Sequence, residues 1–243
     1  ISIAVLTSRG PCIMGLLRKG LKEPLPCHIS QMLSKTLKNT AERLLKPVAI
    51  FVGRFGIKPN HITVMGLLMT FWAAWFIYNK EIYLAFLIGL IASLLDGADG
   101  LVARATGTST KKGGYLDAVL DRYADCLAFG ALILGGWMKP IKGIEFISGE
   151  MWAIAALVGA FQTSYARAAA ERLGISQEGI GIIERPERLF IFGMGLLIGE
   201  LMGNVEIIIT IVIAVLAIVG NLTVIQRMLH FWGEAKDEKY SPS

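Results

Sequence analysis

The chain has 243 residues, of which 54% are hydrophobic, with a mean hydropathy of +0.57 and a formal net charge of +5. Soluble domains average about 45–50% apolar residues, so this composition excludes an ordinary soluble domain and indicates an integral membrane protein. The three cysteines, Cys12, Cys27 and Cys126, have neither metal-ligand spacing nor the pattern of a disulfide framework. The opening stretch ISIAVLTS is too short and too poor in preceding charge for a signal peptide.

The first part of the chain mixes prolines, basic residues and apolar residues. Residues 1–30 are predicted to be a tether or the tail of a preceding soluble domain. Residues 31–55 follow an apolar-basic pattern, which predicts an amphipathic helix on the membrane surface with a bend at Pro47. A partner-binding helix is the alternative, less favoured because hydrophobic spans follow at once. After residue 30, the sequence predicts a membrane domain over 31–232 and a polar tail over 233–243.

Six apolar stretches follow, each near the ~20 residues that a bilayer crossing requires. They are expected at residues 61–78, 82–104, 114–137, 149–171, 187–202 and 205–229. Neither an internal repeat nor a low-complexity tract is visible. The sequence therefore predicts an all-α integral membrane protein with six transmembrane helices and an N-terminal juxtamembrane helix.

Lysine and arginine are distributed unequally between the two sides of these spans. Twenty of the 24 lie before residue 61, in the second-to-third and fourth-to-fifth connections, or in the tail, and only three lie on the other side. Because positive loops stay in the cytoplasm, we expect a multi-pass plasma-membrane protein whose termini and second-to-third connection are cytoplasmic.

Five aspartates stand between strongly apolar segments, where carboxylates are costly and usually functional. Asp96 and Asp99 are three residues apart, while Asp117, Asp121 and Asp125 are each four apart, so each set shares a helix face. If the second and third spans pack antiparallel, the two sets converge. Clustered carboxylates with oxygen-only ligands suit Mg²⁺, Mn²⁺ or Ca²⁺ rather than zinc. The structural alternative is ion pairing of the buried aspartates with Arg104 and Arg122.

This stretch resembles the signature of the CDP-alcohol phosphotransferase family, with every fixed position filled. The matching positions are Asp96, Asp99, Gly100, Ala103, Arg104, Gly113, Asp117 and Asp121. The resemblance implies a membrane enzyme that displaces CMP from a CDP-linked lipid by the hydroxyl of a second substrate. It also implies two Mg²⁺ or Mn²⁺ ions held by Asp96, Asp99, Asp117 and Asp121, with Asp121 as the general base.

The CDP-lipid is expected to contact the start of the first span and the small residues of the signature. Pro59-Asn60 and the residues after it resemble a family segment that touches the CDP group, and helix starts bind phosphate well; an ordinary helix start is the alternative. Thr110 is predicted to donate to the donor's head, or else to be a plain loop residue. The complete predicted set is Pro59, Asn60, His61, Ile62, Gly100, Ala103, Arg104, Thr110 and Gly113.

Four arginines form the predicted acceptor-phosphate site: Arg167, Arg185, Arg188 and Arg227. Arginine binds phosphate in a bidentate manner, although solvated helix-end charges are the alternative. Tyr-x-Arg-Ala at 165–168 and Glu-Arg-x-Glu-Arg at 184–188 resemble the phosphatidylinositol-phosphate and archaetidylinositol-phosphate synthase branch. This resemblance implies inositol phosphate as the acceptor.

Several alternatives stay open at this point. Within the family, glycerol 3-phosphate could replace inositol phosphate, and the lipid tails could be diacylglycerol or archaeol. Outside it, a divalent-cation transporter would use the aspartates as an ion path, but transporters often contain repeats. Membrane lipid and a phosphorylated polyol are the expected partners, a homodimer and a preceding soluble domain are compatible with the pattern, and no nucleic-acid partner is expected. Asp125 lies beyond the signature, where it would anchor the bundle or pair with a basic residue.

Overall fold

The computed structural model describes residues 59–105 and 107–235. Within them, the side chains of Pro59, Asp99, Arg104 and Ala105 lie outside the description. The predicted tether and the predicted juxtamembrane helix at 31–55 also fall outside the described residues.

Six helices make up most of the described residues, and no strand occurs among them. They are α1 (Pro59–Tyr78), α2 (Ile82–Ala105), α3 (Lys111–Leu134), α4 (Gly149–Arg172), α5 (Arg185–Leu201) and α6 (Val205–Glu234). The all-α prediction is confirmed for this part of the chain. The largest boundary difference is at α6, which ends five residues later than predicted, while α3 begins and ends three residues earlier than predicted. The end of α3 has a local cause. The helix ends early because Gly135 and Gly136 follow, and Gly136 adopts a φ of +67° that favours glycine.

Three of these helices are long and apolar enough to cross a membrane: Asn60–Tyr78 of α1, Ile82–Ala103 of α2, and Val205–Glu234. Their outward faces carry large apolar side chains, including Trp72, Trp75 and Leu87, each about half exposed. Extended apolar surface of this kind is typical of contact with lipid. The protein is therefore a multi-pass membrane protein, while the count of six spans stays a prediction.

The six helices pack as a closed ring. Helix α1 contacts α2 and α3, helix α6 contacts α4 and α5, and contacts of α2 with α5 and of α3 with α4 complete the ring. Helices α2 and α3 are not a closely packed pair. The predicted direct packing of the second and third spans is therefore wrong, because α1 lies against both of them.

An apolar core fills one end of the ring. Its members include Ile77, Ile82, Leu132, Leu196 and Ile209, all at most 4% exposed. They come from the C-terminal halves of α1, α3 and α5 and the N-terminal halves of α2 and α6, so the helices alternate in direction. The opposite end, where α1, α3 and α5 begin, is left for polar residues.

Helices α4 and α6 approach closely through small residues. A Cβ added to Gly159 would lie 2.9 Å from Asn221 Nδ2, and one added to Gly220 would lie 3.8 Å from the Cα of Gly159. Asn221 Nδ2 donates a hydrogen bond across the pair to the Ala155 carbonyl at 3.0 Å. Small residues and side-chain hydrogen bonds of this kind join membrane helices. This contact holds the middle of α4 against the middle of α6.

Candidate active site

Three carboxylates meet at the polar end of the ring. Asp96 of α2 and Asp117 and Asp121 of α3 each offer an oxygen atom, and these atoms lie within 4.8 Å of one another. Asp117 and Asp121 share a face because they are four residues apart on one helix. The predicted convergence of the two aspartate sets is found for these three residues, while the Asp99 side chain lies outside the description. An all-carboxylate group of this size fits a divalent ion of the Mg²⁺ or Mn²⁺ type.

Arg185 projects from the start of α5 into this carboxylate cluster. Its Nη1 lies 2.7 Å from Asp96 Oδ2 and 2.9 Å from Asp121 Oδ1, so one guanidinium joins α2, α3 and α5. The start of α5 is fixed by the Glu184 backbone N–H, which donates to Glu187 Oε2 at 3.0 Å. The Glu-Arg-x-Glu-Arg segment at 184–188 therefore starts α5 and also supplies the positive charge of Arg185 to the site.

A second ion-paired group lies one turn farther along α3. Asp125 is 1% exposed, and its Oδ2 lies 3.0 Å from Arg188 Nη2 and 3.6 Å from Arg122 Nη2. Arg122 also lies 3.7 Å from Asp121 Oδ2. The sequence left the role of Asp125 open, with pairing to a basic residue as one possibility, and named Arg122 only as an ion-pair partner of the aspartates. The available signal was their spacing, because residues three apart on a helix share a face.

The starts of α1 and α3 meet beside the cluster. A Cβ added to Gly113 would lie 3.0 Å from Asn60 Oδ1 and 3.2 Å from Thr110 Oγ1. Thr110 caps α3, since its hydroxyl oxygen accepts a hydrogen bond from the Gly113 N–H at 3.0 Å. Helix starts present backbone N–H groups that attract phosphate. Three predicted donor contacts, Asn60, Thr110 and Gly113, are thus brought together.

The other predicted donor contacts are more dispersed. Ile62 is buried and packs with Val102 between α1 and α2, whereas His61 is exposed. Gly100 and Ala103 are half-buried on α2. The side chains of Pro59 and Arg104 lie outside the description.

The four predicted acceptor arginines fall into two groups. Arg185 and Arg188 stand at the aspartates, while Arg167 lies near enough to act electrostatically on Arg227. Arg167 is exposed and pairs with Glu171 at 2.8 Å. Arg227 is 3% exposed and donates to the carbonyls of Thr163 at 2.6 Å and Ile180 at 2.9 Å, fastening the α4–α5 connection to α6.

Clustered carboxylates, several arginines and two helix starts lie together at one end of an apolar bundle. This combination defines an intramembrane enzyme site for charged phosphate groups, with lipid accessible around the ring. The family model for CDP-alcohol phosphatidyltransferase matches residues 57–227, and the chain belongs to this family. The predicted family and the predicted class of metal-dependent transferase in phospholipid biosynthesis are confirmed.

The chain is also similar to individual named proteins and solved structures. Archaetidylinositol phosphate synthase of Pyrococcus horikoshii is 35% identical over 200 residues, covering 81% of this chain and 95% of that protein. Phosphatidylinositol phosphate synthase of Corynebacterium glutamicum is 33% identical over 194 residues, covering 79% and 85%. The crystal structure of Mycobacterium tuberculosis phosphatidylinositol phosphate synthase (PgsA1) with CDP-DAG bound matches with a TM-score of 0.68 and 25% identity, covering 81% and 99%. The same enzyme in complex with manganese and citrate matches with a TM-score of 0.68 and 26% identity, covering 80% and 93%.

Proposed function

We propose that this chain transfers a phosphatidyl-type group from a CDP-linked lipid to inositol phosphate and releases CMP. The observation that carries the proposal is the contact of Arg185 with Asp96 and Asp121, which sets a phosphate-binding cation directly beside the carboxylate cluster. The names of the relatives support the same reaction, since they are synthases of inositol phosphate lipids.

The donor is assigned to the side of the site where α1 and α3 begin. Asn60, Thr110 and Gly113 would contact the CDP group, and the absent Cβ of Gly113 leaves room beside Asn60 Oδ1. Asp96, Asp117 and Asp121, with Asp99, would hold one or two divalent ions, which neutralise the diphosphate and the leaving CMP. The lipid tails would enter laterally between helices.

Asp121 is assigned as the general base. The acceptor hydroxyl oxygen forms a bond to the lipid-side phosphorus, the bond from that phosphorus to CMP breaks, and Asp121 takes the hydroxyl proton. Arg122 lies 3.7 Å from Asp121 Oδ2 and would hold this carboxylate in one orientation during the reaction. Positioning and charge neutralisation would supply most of the rate enhancement.

The acceptor phosphate needs cations of its own, because the site already contains a diphosphate and several carboxylates. Of the four predicted arginines, Arg167 and Arg185 are the best placed to contact it, since Arg167 is exposed and Arg185 borders the cluster. Arg188 and Arg227 are buried and ion-paired or hydrogen-bonded to the protein. They would support the pocket by holding α3, α4 and α6 in place.

The acceptor is tested with purified protein, a labelled CDP-lipid and a panel of inositol phosphate, inositol and glycerol 3-phosphate. Arg167→Ala should raise the KM for inositol phosphate roughly 10- to 150-fold. This is the change in affinity expected when one charge-assisted hydrogen bond is lost. The KM for the CDP-lipid should change little. Arg172→Ala, at an exposed arginine at the end of the same helix, is the matched control.

Two outcomes would contradict the inositol phosphate assignment. One is equal use of unphosphorylated inositol by the parent protein. The other is exclusive use of glycerol 3-phosphate, which would keep the reaction type and change the acceptor. Running the assay with CDP-diacylglycerol and CDP-archaeol also identifies the preferred tails.

A further inference from the structure

Two buried atoms beside the carboxylate cluster face each other without a hydrogen bond. Asp125 Oδ1 and Arg185 Nε are both buried, have no hydrogen-bond partner among the described residues, and lie 3.9 Å apart. The other oxygen of Asp125 is held by Arg188 at 3.0 Å. In the proposed reaction, Asp125 neither binds a metal ion nor accepts a proton.

Arg185 bonds instead to the carboxylates that would hold a metal ion. Its Nη1 lies between Asp96 Oδ2 and Asp121 Oδ1, both from the three-carboxylate group. A guanidinium and a divalent ion repel each other strongly at such short range in a site of low dielectric. An ion bound to Asp96 and Asp121 would therefore require Arg185 to move away from them.

A displaced arginine in this position needs another carboxylate. The Arg185 side chain is 19% exposed, and a buried charge that loses its partner is strongly destabilising. Asp125 Oδ1 already lies close, and a shift of about 1 Å would bring it within the ~2.9 Å of an N–H···O hydrogen bond to Arg185 Nε. Since Arg188 and Arg122 both approach Asp125 Oδ2, Oδ1 stays open for Arg185.

We propose that Asp125 is a positioning residue: when a divalent ion binds Asp96 and Asp121, Arg185 shifts its ion pair to Asp125 and stays beside the acceptor site. This inference rests on the proposed metal-dependent function. It makes metal binding precede acceptor binding, because the Arg185 guanidinium is released from Asp96 and Asp121 only by the ion. It also explains why two arginines three residues apart on α5 both point at Asp125.

Mn²⁺ binding to the purified full chain tests this without substrates, using the EPR signal of free Mn²⁺ to measure the dissociation constant. Arg185→Gln should bind Mn²⁺ about tenfold more tightly than the parent protein, because the competing cation is gone. Asp125→Asn should bind it about tenfold more weakly, because displaced Arg185 has lost its new partner. In the Arg185→Gln background, Asp125→Asn should change the affinity by less than about twofold, and this non-additivity is the signature of the coupling.

Several outcomes would overturn the inference. If Asp125→Asn weakens Mn²⁺ binding equally in both backgrounds, Asp125 acts only as a distant negative charge. If Arg185→Gln binds Mn²⁺ no better than the parent, Arg185 does not compete with the ion. If Asp125→Asn fails to fold, the Mn²⁺ affinity of Arg185→Gln is the deciding measurement, because this variant leaves the Asp125–Arg188 pair intact.

Arg167 provides a matched charge control for the Mn²⁺ measurement. Arg167→Gln removes an equal charge from an arginine paired with Glu171, so its Mn²⁺ affinity should equal that of the parent. No acceptor is present in this measurement. A wrong acceptor assignment would therefore change the result of the acceptor activity panel and leave the Mn²⁺ affinities unchanged. If Arg185 does not move to Asp125, the Mn²⁺ affinities would differ from those expected, and the acceptor panel would be unchanged.

Discussion

Asp121 combines two roles at the residue scale. It belongs to the three-carboxylate group and is also the proposed base, with Arg185 at 2.9 Å and Arg122 at 3.7 Å. A base must be held in one orientation and stay able to accept a proton. Arg122 supplies the orientation once the ion has displaced Arg185, and removing the carboxylate charge should leave the donor pocket at α1 and α3 in place.

Asp121→Asn is accordingly expected to lower kcat by at least ~10²-fold, the usual contribution of a general base. Binding of the CDP-lipid should persist, because Asn60 and Gly113 are unchanged. Turnover and donor binding are measured on the same preparation, with Glu81→Gln as a control at an exposed carboxylate at the opposite end of the ring. Turnover at the parent rate in Asp121→Asn would refute the base assignment.

Gly113 and Gly114 provide a matched pair for the donor pocket. An added methyl group at Gly113 would lie 3.0 Å from Asn60 Oδ1, whereas nothing lies within 4 Å of the same position at Gly114. Gly113→Ala is expected to raise the KM for the CDP-lipid several-fold to tenfold, since ~1 kcal/mol of crowding changes affinity about fivefold. Gly114→Ala should match the parent. Equal KM values in the two variants would place the nucleotide elsewhere.

The aspartate cluster could be predicted because it depends on local spacing. Residues three or four apart share a helix face whatever surrounds the helix, so Asp117 and Asp121 were certain to point together. The partners of the arginines depend on the path of the α4–α5 connection, which spacing does not encode. Arg227, expected to bind acceptor phosphate, donates to the carbonyls of Thr163 and Ile180 in this structure, and these two contacts could not be read from its spacing.

At the element scale, helix boundaries followed from apolar length and from breakers, while helix neighbours did not. The pattern that delimits α2 and α3 says nothing about α1, which packs against both. All six helices are apolar on much of their surface, so the pattern cannot distinguish a face toward lipid from a face toward another helix. Close approach is instead set by single small residues, such as Gly159 against Asn221.

Gly149 tests this dependence on small residues. It is the buried first residue of α4, and a Cβ added there would lie 2.6 Å from the backbone nitrogen of Lys139. Backbone cannot move as a side chain can, and Lys139 N–H is also bonded to Thr210 Oγ1 at 3.0 Å. We expect Gly149→Ala to destabilise the protein by ~1–3 kcal/mol, the usual cost of overpacking.

The measurement is the apparent melting temperature in detergent. Gly130→Ala is the control, because nothing lies within 4 Å of its added Cβ and alanine favours a helix interior by up to about 1 kcal/mol. Gly130→Ala should therefore melt at or above the parent temperature. Equal melting temperatures for both variants would show that the start of α4 can relax away from Lys139.

At the scale of the whole molecule, the two ends of the ring differ in chemistry. One end is filled by apolar side chains, and its few charges include Lys80 and Lys139, both near Glu206. The other end carries the aspartates, the arginines and the helix starts that attract phosphate. A charged nucleotide and a phosphorylated polyol can therefore reach the site only from the aqueous phase at that second end.

The charge distribution predicts that this aqueous phase is the cytoplasm. Single cysteines at Ser109, in the exposed α2–α3 loop, and at Phe146, 82% exposed in the α3–α4 connection, report on opposite ends of the ring. They are introduced after Cys12, Cys27 and Cys126 have been replaced by serine. A membrane-impermeant maleimide should label Phe146→Cys on intact cells, and Ser109→Cys only after the membrane is opened. The reverse labelling would place the site outside the cell and would contradict the predicted orientation.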